Sequence, residues 1–193
     1  TVKAKTMPPW PPGNHGMFRD ERWLTDREIH TLAKWADAGA PLGDREKVPA
    51  SPKFPEGWIL GTPDLVLAGP EYEVSESGPD EYRCYLLPTD LPEDKWVSAV
   101  EVRPGNMRVV HHIIAYVDTS RDKQSEKLDA RDPKPGYLSQ GTGPGFLPSG
   151  EMSGWAPGVS PYALPDGVGR RLRKGARIVL EVHYHKNGRI EKD

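Results

Sequence analysis

The chain has 193 residues, 36% of them hydrophobic, enough for one medium domain or for a small piece plus one domain. Its 20 glycines and 21 prolines, about a fifth of the residues, suit short strands and many turns better than a helical bundle. A formal charge of −2 with mixed signs gives no ground for nucleic-acid binding, and no run of about 18 apolar residues is present to span a membrane. No secretory leader is visible. The sequence opens without Met and closes on a polar tail directly after an apolar strand, so the expectation is a piece of a longer protein.

In chain order, residues 1–44 stand apart. TMPPWPPGNHGMFRDERW reads as an extended, Pro-rich arm. LTDREIHTLAKWADAGAP then reads as one helix: Thr25 followed three residues later by Glu28 is the capping-box pattern. Ile29, Leu32, Ala33 and Ala36 follow helical spacing, and Gly39 and Pro41 end it. One helix and a Pro-rich arm cannot bury a core alone. Residues 45–57 read as a linker.

From residue 58 the pattern changes to strands. Candidates are 63–67, 70–75, 81–87, 96–103, 108–117, 168–173 and 176–185, with Pro-Gly at 104–105 and Asp-Gly at 166–167 as turns. The expected fold is mainly β: an antiparallel, jelly-roll-like sandwich with a short N-terminal helical segment. The polar stretch 119–135 reads as an exposed loop, and the Gly-rich stretch after it as a long ordered loop without a phosphate-binding motif. The single cysteine, Cys84, has no internal disulfide partner. It reads either as a buried free thiol or as half of a bridge to a segment outside this sequence. Trp58, Trp96 and Trp155 read as core or loop anchors; exposed, they would support a carbohydrate- or peptide-binding sandwich instead.

The residues that carry chemistry are histidines. VVHHIIAYVD (109–118) sets His111 and His112 side by side in an apolar strand. Neighbours on a regular strand face opposite ways, so one ion can take both only if the strand bulges or twists. In ARIVLEVHYHKNG (176–188), Ile178, Leu180, Val182 and Tyr184 share one face, and Val179, Glu181, His183 and His185 share the other. His183 and His185 at i, i+2 form a chelating pair; the competing reading of His185 is a polar outer face before a turn. Antiparallel pairing can bring the two strands together, about 70 residues apart. Neutral imidazoles without a cysteine or carboxylate cluster suit copper or zinc.

EYRCYLLPTDLPEDKWVSAVEVRPGNMRVVHHIIAYVD, followed by GWAPGVSPYALPDGVGRRLRKGARIVLEVHYHKNG, resembles the N-terminal domain of the copper type II, ascorbate-dependent monooxygenases. The likeness covers about residues 58–190, with the VVHH, WAPG…LPDGVG and LEVHY blocks in the family's order. It implies a copper held by His111, His112 and His183 that stores and passes an electron, with oxygen chemistry at a second copper in a following domain. That domain is not in this sequence, so an enzyme assignment stays open. His185 is implied only as an alternative or outer ligand. Glu181, on the His183 face, reads either as a partner for the other ring nitrogen of a ligating imidazole or as a solvated charge. The family carries more disulfides than one cysteine allows.

KAKTMPPWPPGNHGMFRDERWLTDREIHTLAKWADAGAPLGD resembles the last third of a bacterial c-type cytochrome domain. That likeness implies Met7 as an axial haem ligand, with Met17 a weaker substitute and the CxxCH attachment site of haem c upstream. Together the two resemblances imply a periplasmic or otherwise extracytoplasmic redox protein: a cytochrome remnant at 1–44, the linker at 45–57 and the sandwich at 58–193. Its partners would be an upstream cytochrome, a downstream domain and a redox complex. The alternative is a non-catalytic accessory subunit of a membrane-bound electron-transfer complex.

Overall fold

A computed structural model describes residues 1–8, 16–18, 21, 23–53 and 56–193. The chain divides into two compact units, residues 1–53 and 54–193.

In the first unit, α1 (Asp26–Asp37) starts on Thr25. Its hydroxyl accepts from the Glu28 amide at 3.3 Å and the Glu28 carboxylate accepts from the Thr25 amide at 2.7 Å, so the capping box forms as expected. At the other end Gly39 adopts φ +82° and the Gly39 and Ala40 amides donate back to Ala36 and Trp35, a Schellman closure. No residue of α1 is buried. Of the segment expected to be an extended arm, residues 9–15, 19–20 and 22 lie outside the described residues, and with them the second half of the MPPW motif.

The second unit is mainly β and antiparallel throughout. Its strands are β1 (Glu73–Val74), β2 (Glu81–Pro88), β3 (Lys95–Val97), β4 (Val110–Asp118), β5 (Tyr137–Leu138), β6 (Gly150–Trp155), β7 (Arg170–Leu172), β8 (Arg177–Tyr184) and β9 (Glu191–Lys192), with helix α2 (Gln124–Asp129) between β4 and β5. The central sheet has the order β5-β2-β8-β4-β6; β1 with β9 and β3 with β7 form two small sheets.

Alternation on the three long strands sorts the sheet into two faces. Rows Arg83–Val182–Ile113, Tyr85–Leu180–Ala115 and Leu87–Ile178–Val117 form one face. The small sheets pack on it: Tyr72 and Val74 join the cluster around Tyr85, Ile113 and Val182, while Leu172 joins that around Leu87, Val117 and Ile178. Rows Leu86–Val179–Tyr116, Cys84–Glu181–Ile114 and Tyr82–His183–His112 form the other face. Tyr137, Leu128 and Phe146 cover its middle. The buried Arg83 donates to the Pro135 and Gly136 carbonyls and pairs with Asp132 at 3.0 Å, tying the edge of β2 to the chain that enters β5.

Several sequence expectations need correction. Residues 63–67 form no strand, and 70–75 and 96–103 shorten to β1 and β3 because their backbones find only two or three ladder partners. Residues 119–135 are not simply an exposed loop: they carry α2, whose Ser125 is buried and donates to Asp118. The Gly-rich stretch contains β5 and β6, paired to β2 and β4. Trp155 packs against the core and Trp58 stacks under Arg103, but Trp96 stays 72% exposed and anchors no core.

Candidate metal centre

The histidine site is built by a break in register. Along β4 against β8, Val110 opposes Tyr184 and His112 opposes His183, so His111 is an extra residue in the strand. The packing shows what this does. Val110 and Ile113, three positions apart, belong to the same buried cluster on one face. Strict alternation would send one of them outward. With the bulge both stay in the core, and the two residues between them, His111 and His112, both turn to the opposite face, where His183 lies. The ladder resumes beyond the bulge, the His185 amide donating to the Val109 carbonyl at 2.7 Å.

His111, His112 and His183 converge, with their ligand nitrogens within 4.8 Å of one another. His112 Nδ1 lies 3.0 Å from His111 Nδ1 and 3.4 Å from His183 Nδ1. Two nitrogens each about 2.0 Å from one ion are separated by such distances when they subtend roughly 95–120° at it. Burial, helped by the neighbouring His183 and His111 charges, pushes the pKa of His112 below its ordinary value, which favours the neutral ring a metal requires. The three rings sit at graded depth: His183 is buried, His112 half-buried and His111 exposed. One side of the centre is therefore open to solvent and the other is part of the sheet.

His183 is held on several sides. Tyr82, its partner across β2–β8, stacks on it with centroids 4.1 Å apart at 15°. The Gly-rich stretch backs Tyr82: the Ser139 amide donates to the Tyr82 carbonyl at 2.8 Å, and Gly141, at φ +71°, lies so close that a β-carbon there would meet the Tyr82 ring at 2.8 Å. Behind the ring, His183 Nε2 lies 2.8 Å from the Asp80 carboxylate.

His185 does not join the three. Its Nδ1 lies 3.0 Å from the other oxygen of Asp80, which makes it an outer residue and not a fourth convergent ligand. Glu181 is neither a partner of His183 nor a solvated charge. It is buried, accepts from the Ser139 hydroxyl at 2.8 Å and lies 3.9 Å from the Cys84 sulfur. Cys84 is a free buried thiol with its pKa pushed up to about 12, chiefly by burial. Asp80 was missed in the sequence. Its only signal there is a carboxylate one residue before a strand that pairs antiparallel with LEVHYH. Met7 is about half exposed.

Fold and cluster together define a mainly-β protein with a three-histidine centre able to hold a metal ion. No family model, curated protein or solved structure matches the chain. Among the described residues no helix is long and apolar enough to cross a membrane.

Proposed function

We propose that this chain is the copper-binding, electron-transferring half of an extracytoplasmic redox protein related to the ascorbate-dependent copper monooxygenases. The observation that carries the reading is the bulge that turns His111 and His112 toward His183, leaving three imidazole nitrogens convergent and no thiolate among them. Imidazole donors suit copper in both its oxidation states, and copper bound there supplies reversible one-electron storage. His111, His112 and His183 would hold it through Nδ1. Tyr82 covers the buried side of His183 and limits water there, and exposed His111 leaves the open side to an electron donor or acceptor. The donor we assign is a c-type cytochrome, on the resemblance of residues 3–44, with Met7 as its axial ligand.

Titration of the full chain with copper, in competition with a chromophoric chelator, tests the reading. One copper per chain is expected. His111→Ala, His112→Ala and His183→Ala should each weaken binding more than about 100-fold, beyond what losing a residue that only supports a ligand costs. His185→Ala should keep the stoichiometry. Copper-loaded protein that retains neither copper nor zinc after desalting would sink the proposal.

A further inference from the structure

Asp80 lies in the turn before β2, yet its two carboxylate oxygens divide between two histidines of β8 and its end. Oδ2 is 2.8 Å from His183 Nε2 and Oδ1 is 3.0 Å from His185 Nδ1. An ionised carboxylate only accepts, so both histidine nitrogens donate. The proton of neutral His183 is thereby fixed on Nε2, and the lone pair falls on Nδ1, the atom 3.4 Å from His112 Nδ1. Flipping the ring would break the Asp80 bond. The stack with Tyr82 fixes its plane. Only 8% of the His183 side chain is exposed against 37% of Asp80, so the carboxylate sits between solvent and the buried ligand.

We infer that Asp80 is the positioning residue of the metal centre: it selects the His183 tautomer that ligates through Nδ1, and its negative charge, one imidazole away from the ion, favours the more oxidised state. The inference rests on the copper reading above. A carboxylate behind a ligating imidazole raises its basicity and orients it. The same charge stabilises Cu(II) more than Cu(I), because the ion it faces carries one charge more. His185 has a part in this without ligating: its bond to Oδ1 restrains the carboxylate so that Oδ2 stays on His183.

The test uses the full chain as wild type, Asp80→Asn, Asp80→Ala and Asp80→Glu. Cu(II) and Cu(I) affinities and the midpoint potential are measured, and imidazole nitrogen NMR of the metal-free protein reads the His183 tautomer. Asp80→Asn keeps an acceptor but loses the charge. It should retain the Nε2–H tautomer and weaken Cu(II) by about 10–100-fold. Cu(I) should change less, so the potential rises by about 59 mV for each tenfold difference. Asp80→Ala should lose the tautomer preference as well, and Asp80→Glu should recover part of both. If wild type binds copper and the Asn and Ala variants match it in both affinities, potential and tautomer, Asp80 has no such role and the copper reading stands. If wild type binds no copper, the copper reading fails and this inference with it, whatever the tautomer shows. Asp80→Asn, nearly isosteric and partly exposed, guards against a result that reflects only misfolding of the Ala variant.

Discussion

Asp118 has no exposed surface and still carries a charge, which makes it sensitive to acid. Burial alone would raise its pKa. Hydrogen bonds from Ser120 and Ser125 and the charge of Arg177, 3.2 Å away, outweigh burial and hold it below the ordinary carboxylate range. A carboxyl depressed in the folded state stabilises fully above its unfolded pKa of about 3.9 and loses that contribution as pH falls through the folded value. Thermal melts from pH 6 down to pH 3 should therefore fall steeply below about pH 4 in wild type and less steeply in Asp118→Asn. At pH 7 that variant should be about 1.5–3 kcal/mol less stable, the worth of hydrogen bonds to a charged group. Gly136 makes a second prediction. It sits at φ +69°, where a β-carbon would fall 2.4 Å from the Cys84 carbonyl. Gly136→Ala should cost on the order of 1–3 kcal/mol in urea unfolding, since backbone must move to admit it. At this scale the sequence marked His111, His112 and His183 by residue type and context. It could not find Asp80, 103 residues before His183, because strand register is not written in composition. Glu181 misled for a related reason. It shares a face with His183, but two residues along a strand is about 6.6 Å, which sets it beside Cys84 and Ser139 and out of reach of the imidazole.

At the scale of elements, β2, β4 and β8 were legible because each runs eight or nine residues rich in β-branched, aromatic and other apolar side chains, as strands inside a sheet do. β1, β5 and β9 have two residues each, too short for any period to show, and β6 runs through GEMSGW, whose glycines hide its pairing with β4. The sequence did require one feature that local propensity would never supply: either β4 is irregular or its two histidines diverge. The structure meets this with one extra residue, His111, opposite the 183–184 step of β8. The bulge thus serves the site more than the sheet, and the two can be separated. Deleting His111 restores regular pairing between Val110–His112 and His183–Tyr184 while removing one ligand. The deletion should melt within a few degrees of wild type, or higher, yet bind copper more than about 100-fold more weakly. His111→Ala keeps the extra residue and removes only the ring, so it should match the deletion in affinity without gaining stability. Calorimetry beside chelator competition checks both. A deletion that unfolds the protein would show that the bulge is needed by the fold itself.

At the scale of the molecule, the division between residues 53 and 54 falls inside the stretch 45–57 that reads as a linker, and all three convergent histidines belong to the second unit. They sit on β4 and β8, which share the longest ladder among the described residues together with β2 and β8. An ion held by both strands would join adjacent central strands and would bind the folded state alone. Linkage then sets the size of its effect: free ligand at 100 times its Kd adds about 2.7 kcal/mol. At about 2–4 °C per kcal/mol for a chain of this length, copper should raise the melting temperature of the second unit by about 5–10 °C. The shift should disappear in His183→Ala, persist in His185→Ala and be smaller in Asp80→Asn at the same copper concentration. The first unit, which holds none of the three histidines, should show no copper-dependent change. A shift that survives His183→Ala would place the stabilising ion elsewhere, because no other ligand on β8 faces His111 and His112 among the described residues.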